Sequence, residues 1–253
     1  VSILSLAVLL AFHLGIPQMR TTAGLTIINL CSAMIPAQSL FITANFFLPH
    51  HLACKLVAAL QHYFWLVSFG WMAIYAVRMA MTFLSIMTSY LPTSKRVVAR
   101  LAVLTWGIPL VMCAACGVLD ATRDEYFTYG WDEEPGQVCW IQGQLPLIIS
   151  FIVPLALVVV SNSICFVITV VQYIKTKRQS MMAHHQPDDF SWETIILIFQ
   201  LCFILGLCWL FGLLANIPGL DFLWYPFILL NSTQGLMILI AFIPKISRLV
   251  KVR

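Results

Sequence analysis

Seven times along this chain, a run of 19 residues or more passes without an Asp, Glu, Lys or Arg. The runs are 1–19, 21–54, 56–77, 101–119, 135–174, 194–220 and 222–244. At the helical rise, 19 residues cover roughly 28 Å, close to the ~30 Å hydrocarbon core of a bilayer. In hydrocarbon each backbone N–H and C=O must bond within its own segment, which makes each run a helix. A soluble fold would need seven consecutive helices apolar on every side. Only 9% of the 253 residues are charged, against about 25% in an ordinary soluble domain. The expectation is an all-α seven-helix membrane bundle. Its spans are near 1–18, 23–48, 52–83, 97–119, 144–174, 192–216 and 222–244, followed by a tail at 245–253.

The cations set the orientation. Arg20, Lys95, Arg96, Arg100, Lys175, Lys177, Arg178, Lys245, Arg248, Lys251 and Arg253 fall on one side, eleven of the fourteen Lys and Arg. Opposite them lie Asp120, Asp124, Glu125, Asp132, Glu133, Glu134 and Asp221, with Lys55 and Arg123. The positive-inside rule puts the N-terminus outside and the tail in the cytoplasm. Cys54 and Cys139 then both face the oxidising exterior and are predicted to form a disulfide. Cys31, Cys113, Cys116, Cys165, Cys202 and Cys208 fall inside spans and read as small apolar side chains. Val1 already lies in an apolar run, so the natural chain is expected to begin upstream, with an extracellular region before it.

Several functions find no residues. Of the acidic residues only Glu193, at the very edge of the 192–216 span, falls within a span, so buried acid–base catalysis and an ion path both lack their groups. His50 and His51 lie outside, while His184 and His185 lie inside beside Asp188 and Asp189, so the two pairs make no common metal site. The last span has no lysine before Lys245, which excludes a retinal Schiff base. A net charge of +4, spread as above, suits topology and lipid rather than nucleic acid. No cofactor is implied, and the chain does not read as an enzyme. What the spans do carry is bend and glue. Pro36, Pro109 and Pro154 each release a carbonyl that a neighbour or water must satisfy. Asn162, Asn231, Ser232 and Gln234 supply interhelical hydrogen bonds, and Gly206 and Gly212 bracket Trp209. Such residues permit two packings of similar energy.

These residues resemble, as a set, the seven-pass domain of adhesion G protein-coupled receptors in the secretin-like superfamily. Leu205-Gly-Leu-Cys-Trp-Leu-Phe-Gly-Leu-Leu214 is similar to the family's LGLTWIFGLL, and Phe227-Ile-Leu-Leu-Asn-Ser-Thr-Gln-Gly-Leu236 to its FxxxNSxQGL. Trp71-Met72, Trp106-Gly-Ile-Pro109, Cys139-Trp-Ile141 and Pro154 with Asn162 complete the likeness. It implies a receptor that turns an extracellular ligand, adhesion event or tethered stalk peptide into heterotrimeric G-protein activation. The agonist pocket it implies is Trp65, Trp140, Trp209, Phe227 and Asn231. The implied switch and polar network is Tyr75, Asn162, Gly206, Trp209, Gln234 and Gly235. The implied G-protein face is Arg78, Lys95, Arg96, Lys175, Lys177, Arg178, Lys245 and Arg248, with the Ile86–Lys95 connection. In two places the chain departs from the pattern. Tyr75 stands where the superfamily has a glutamate, and Ile27 where its histidine partner sits. Tyr75 with Gln234 or Asn162 is the expected replacement. Losing both halves together also suits a seven-pass adhesion or scaffold protein with weak or no G-protein signalling.

Overall fold

The computed structural model describes residues 1–85, 94–122, 127–130, 138–183, 202, 206–215 and 217–251. The helices are α1 (Ser2–Gly15), α2 (Thr22–Thr43), α3 (His51–Ser85), α4 (Lys95–Ala121), the short α5 (Gln144–Leu147), α6 (Val153–Ala183), the short α7 (Trp209–Leu214) and α8 (Trp224–Lys251). A π-helical turn, Ile148–Ile152, joins α5 to α6. Two short antiparallel strands, β1 (Thr128–Tyr129) and β2 (Ile141–Gln142), pair Thr128 with Gln142 and Tyr129 with Ile141. Five of the described segments are long and apolar enough to cross a membrane, and α1 is a shorter apolar helix. His184, His185, Asp188, Asp189, Arg123, Asp124, Glu125, Asp132, Glu133 and Glu134 lie outside the described residues.

The helix ends follow local chemistry. Thr21 caps α2 by accepting the Gly24 N–H at 3.1 Å, and Ser94 caps α4 by accepting that of Arg96 at 3.2 Å. Along α2 the buried residues Ile27, Leu30, Cys31, Met34, Ala37 and Gln38 recur every three or four positions, one face of a helix. α8 continues as helix to Lys251, past residue 244 where the uncharged run ends.

The chain divides into two compact units. One comprises Leu10–Trp71 and Ser94–Val158: α2, the first part of α3, α4 and the β-hairpin. The other comprises Val1–Leu9, Met72–Thr93 and Val159–Arg253. In the second unit, the sixth uncharged run is not one continuous helix. Gly206 takes φ +68°, and the Leu207 N–H donates to the Cys202 carbonyl at 3.0 Å. This is the hydrogen bond of a Schellman motif, in which a glycine in the left-handed region ends a helix. A fresh helix, α7, begins at Trp209. The expected span at 192–216 is therefore broken immediately before its tryptophan.

Candidate functional site: a hairpin clasp and a helix break at Gly206

In the first unit, Cys54 is disulfide-bonded to Cys139, which draws the hairpin onto the start of α3. Further contacts fix it there. The Gln61 side chain donates to the Cys139 carbonyl at 3.3 Å. Asp120, at the end of α4, accepts from the Lys55 ammonium at 3.0 Å and from the Tyr129 N–H at 3.3 Å. Gly130 adopts φ +71° beside them, and a Cβ there would stand 3.3 Å from the Cys54 sulfur. Only a residue without a side chain makes that approach in that conformation.

The deepest contact is through His62, which is fully buried. Its Nε2 lies 3.0 Å from the Ser150 carbonyl and its Nδ1 2.8 Å from the Tyr129 hydroxyl. A carbonyl only accepts, so Nε2 carries the proton; in the neutral ring Nδ1 then accepts from the phenol. Ser150 lies in the π-helical turn just before Pro154, where the wider register and a proline without an N–H leave backbone carbonyls open to a side-chain donor. His62 takes the carbonyl of Ser150. Tyr129 also meets the thiols of Cys113 and Cys116, and burial pushes its phenol well above the ordinary value, followed by the influence of those two sulfurs. Trp140 packs edge-on against Phe151 at 5.0 Å and against His62 at 6.5 Å. Trp65 is buried and stacks on Phe69 at 6.0 Å. Lower on the same unit, Trp106 Nε1 donates to the Asn29 side chain at 3.0 Å, and the Tyr63 hydroxyl to the Trp106 carbonyl at 3.3 Å.

The second unit holds Trp209, Trp224 and Phe227. Trp209 is 9% exposed and meets Phe227 edge-on at 5.1 Å, and Trp224 flanks the same ring at 5.4 Å. A Cβ on Gly212 would stand 2.8 Å from the Phe227 ring, so α7 lies directly on α8. Asn231 is occupied by its own surroundings: its amide donates to the Phe227 carbonyl at 2.9 Å and its oxygen accepts from the Cys208 thiol at 3.7 Å. Gly206 abuts Met72, whose sulfur a Cβ would approach to 2.5 Å. The Gly235 N–H donates to the Ser2 hydroxyl at 2.9 Å, and a Cβ at Gly235 would collide with Ser2 and Leu6. Tyr75, Asn162 and Gln234 are all buried in this unit.

Of the residues implied as a pocket, Trp209, Phe227 and Asn231 come together, while Trp65 and Trp140 belong to the other unit. Of the basic residues, Lys95, Arg96, Lys175 and Arg178 are exposed; Arg78 and Lys177 are half-buried. Lys245 and Arg248 lie on the last turns of α8, with side chains outside the described residues. Sequence reasoning missed His62, Tyr129 and the Lys55–Asp120 pair. The one available signal was Pro154, which announces an unpaired carbonyl without naming its donor.

A family model for the seven-transmembrane receptors of the secretin family matches residues 1–238. The chain belongs to that family. Within the secretin family it is similar to adhesion receptors: it is 28% identical to human adhesion G-protein coupled receptor G4 over 222 residues, which is 85% of this chain and 7% of that protein. It is 26% identical to mouse adhesion G-protein coupled receptor G2 over 220 residues, 85% of this chain and 21% of that one. With human adhesion G protein-coupled receptor L1 it shares 24% over 241 residues, 95% of this chain and 15% of that protein. The chain thus spans under a quarter of each of these three relatives. Secretin-family receptors of this kind are multi-pass plasma-membrane proteins, and the apolar helices of this chain agree with that location.

Proposed function

We propose that this chain is the signalling domain of a cell-surface receptor that couples an extracellular ligand, adhesion event or tethered stalk peptide to heterotrimeric G proteins. In this reading it crosses the membrane seven times, within the limits 1–18, 23–48, 52–83, 97–119, 144–174, 192–216 and 222–244. The N-terminus is outside, and 245–253 is the cytoplasmic tail. The observation that carries the proposal is the helix break at Gly206. It sits next to Trp209, on a family motif, and a local break beside a buried aromatic ring is a hinge rather than a rigid span. An apolar peptide segment bearing free amides suits the remaining groups. Trp65, Trp140, Trp209 and Phe227 offer aromatic surface, and Asn231 has an amide able to exchange the Cys208 thiol for a better donor.

On the cytoplasmic side, Arg78, Lys95, Arg96, Lys175, Lys177, Arg178, Lys245 and Arg248 form the face offered to the G protein. Tyr75, Asn162, Gln234 and Gly235 hold the inactive packing. The test is cAMP and calcium signalling by the natural full-length chain and by a version beginning at the stalk. Signalling that Trp209→Ala abolishes at unchanged surface level supports the proposal. A second reading, a seven-pass adhesion or scaffold protein with little G-protein signalling, is favoured by Ile27 and Tyr75. Both replace polar partners of the superfamily, and both are buried. Surface expression with no signal through any G protein would select it.

A further inference from the structure

We infer that one face of α4 is a binding site for an anionic phospholipid, headgroup at the Lys95 end and acyl chain along the helix. Two independent features converge there. The first is a shallow groove of about 480 Å³, lined by Val103, Leu104, Gly107, Ile108, Val111 and Ala115 among others, with no polar side chain. Its floor is Gly107, where a Cβ would meet no atom within 4 Å, and its walls are well exposed: Val103 73%, Ile108 64% and Val111 71%. From Val103 to Ala115 the groove runs roughly 18 Å by the helical rise, slightly more than the ~15 Å of one leaflet's hydrocarbon. The opposite face of α4 is turned inward through Val98, Trp106 and Cys116.

The second feature is charge at the end of the same stripe. At about 100° per residue, Arg96 and Arg100 fall on the face of Val103, Leu104, Gly107 and Val111. Lys95, Arg96 and Arg100 are exposed in the first two turns of α4, and the first turn has no acidic residue. A helix N-terminus carries partial positive charge, so cations there are set against the dipole rather than with it. A phosphodiester reverses that penalty, being attracted by the dipole and by both guanidinium groups, which bind phosphate bidentately. An uncharged lipid fills the groove but leaves the head unexplained, and a soluble phosphate does the reverse. An anionic phospholipid accounts for both. That it is a lipid of the cytoplasmic leaflet rests on the orientation proposed above; the site itself does not.

The test uses the purified natural chain in phosphatidylcholine nanodiscs, with a minor fraction of phosphatidylserine carrying a photoreactive acyl chain. Cross-links are then mapped by peptide mass spectrometry. Labelling should concentrate on Val103–Val111 and be competed by dioleoyl phosphatidylserine, but not by dioleoyl phosphatidylcholine or by phosphoserine alone. Arg96→Gln with Arg100→Gln should raise the half-competing concentration about 30-fold, from the strength per cation at an anionic surface. Gly107→Leu should reduce labelling while leaving both arginines in place. Removing Lys175, Lys177 and Arg178 together should leave α4 labelling unchanged. Labels spread evenly over the spans, equal competition by phosphatidylcholine, or an equal loss on removing Lys175, Lys177 and Arg178 would each overturn the site. These readouts require no G-protein signalling, so they stand or fall apart from the receptor proposal.

Discussion

Tyr129→Phe isolates the clasp between the hairpin and α3. The substitution keeps the ring and removes only the hydroxyl, so no cavity opens in the first unit. What is lost is the donor 2.8 Å from His62 Nδ1, inside a ring that is fully buried and whose other nitrogen is committed to Ser150. Leaving a buried acceptor unsatisfied costs about 1–3 kcal/mol. Cys113 lowers the figure, because its sulfur lies 3.6 Å from the same nitrogen and a thiol is a weak donor. Tyr129→Phe alone should therefore cost about 1–2 kcal/mol, and combined with Cys113→Ala about 2–3 kcal/mol. For a chain of this size, about 2–4 °C of Tm accompanies each kcal/mol, so the single variant should melt about 2–8 °C lower. The assay is thermal unfolding of the detergent-purified protein, read by a maleimide dye that reports exposure of the buried thiols of Cys31, Cys165 and Cys208. If single and double variants both melt within about 1 °C of the parent, the His62–Tyr129 bond carries no weight and the reasoning is refuted.

Other perturbations probe different parts of the molecule. Cys139→Ser should lower surface expression and let an impermeant maleimide label Cys54; the loop-closure estimate for the 85-residue separation is about 4–5 kcal/mol as an upper figure. Labelling of Cys54 in the unaltered protein would contradict the bridge. Gly206→Ala should cost about 1–2 kcal/mol from its left-handed φ, with more from contact with Met72, and should shift the signalling set point through the hinge. An unchanged Tm together with an unchanged dose response would remove Gly206 from the account. The Tyr129 phenol, raised by burial, should stabilise the fold fully below the ordinary tyrosine value near pH ~10 and lose that contribution as pH rises beyond it. Tyrosine absorbance on alkaline titration should show buried phenols, that of Tyr129 among them, ionising after the exposed ones, and ionisation of every tyrosine in one step would contradict the buried hydroxyl.

The apolar helices could be read from the sequence because hydrocarbon imposes a rule on every residue at once. A run such as 101–119 has one way to satisfy its backbone, and α4 is the result. Cys54 and Cys139 were legible for a related reason: the charge pattern predicts one common, oxidising side for those two cysteines alone, and the two are bonded. The clasp was not legible. Nothing in the composition around His62 distinguishes it from any other polar residue on an apolar helix, and its partners are 67 and 88 residues away. The break at Gly206 was equally hidden. Glycine inside an apolar run is compatible with continued helix, and what decides against it is the left-handed φ beside Met72. Of the aromatic residues named for the pocket, Trp209 and Phe227 meet in one unit, while Trp65 and Trp140 lie in the other. Asn231, expected to stand ready for a ligand, is engaged by Phe227 and Cys208 within its own unit.

The central claim is that this chain is a signalling receptor with Trp209 at its hinge. The most direct measurement is nucleotide exchange on purified heterotrimeric G proteins by membranes carrying the natural chain, begun at its stalk, beside membranes carrying its Trp209→Ala counterpart at matched surface density. Exchange well above empty membranes, lost in the variant, is the result this account predicts. No exchange with any G-protein class, or equal exchange by both chains, would contradict it.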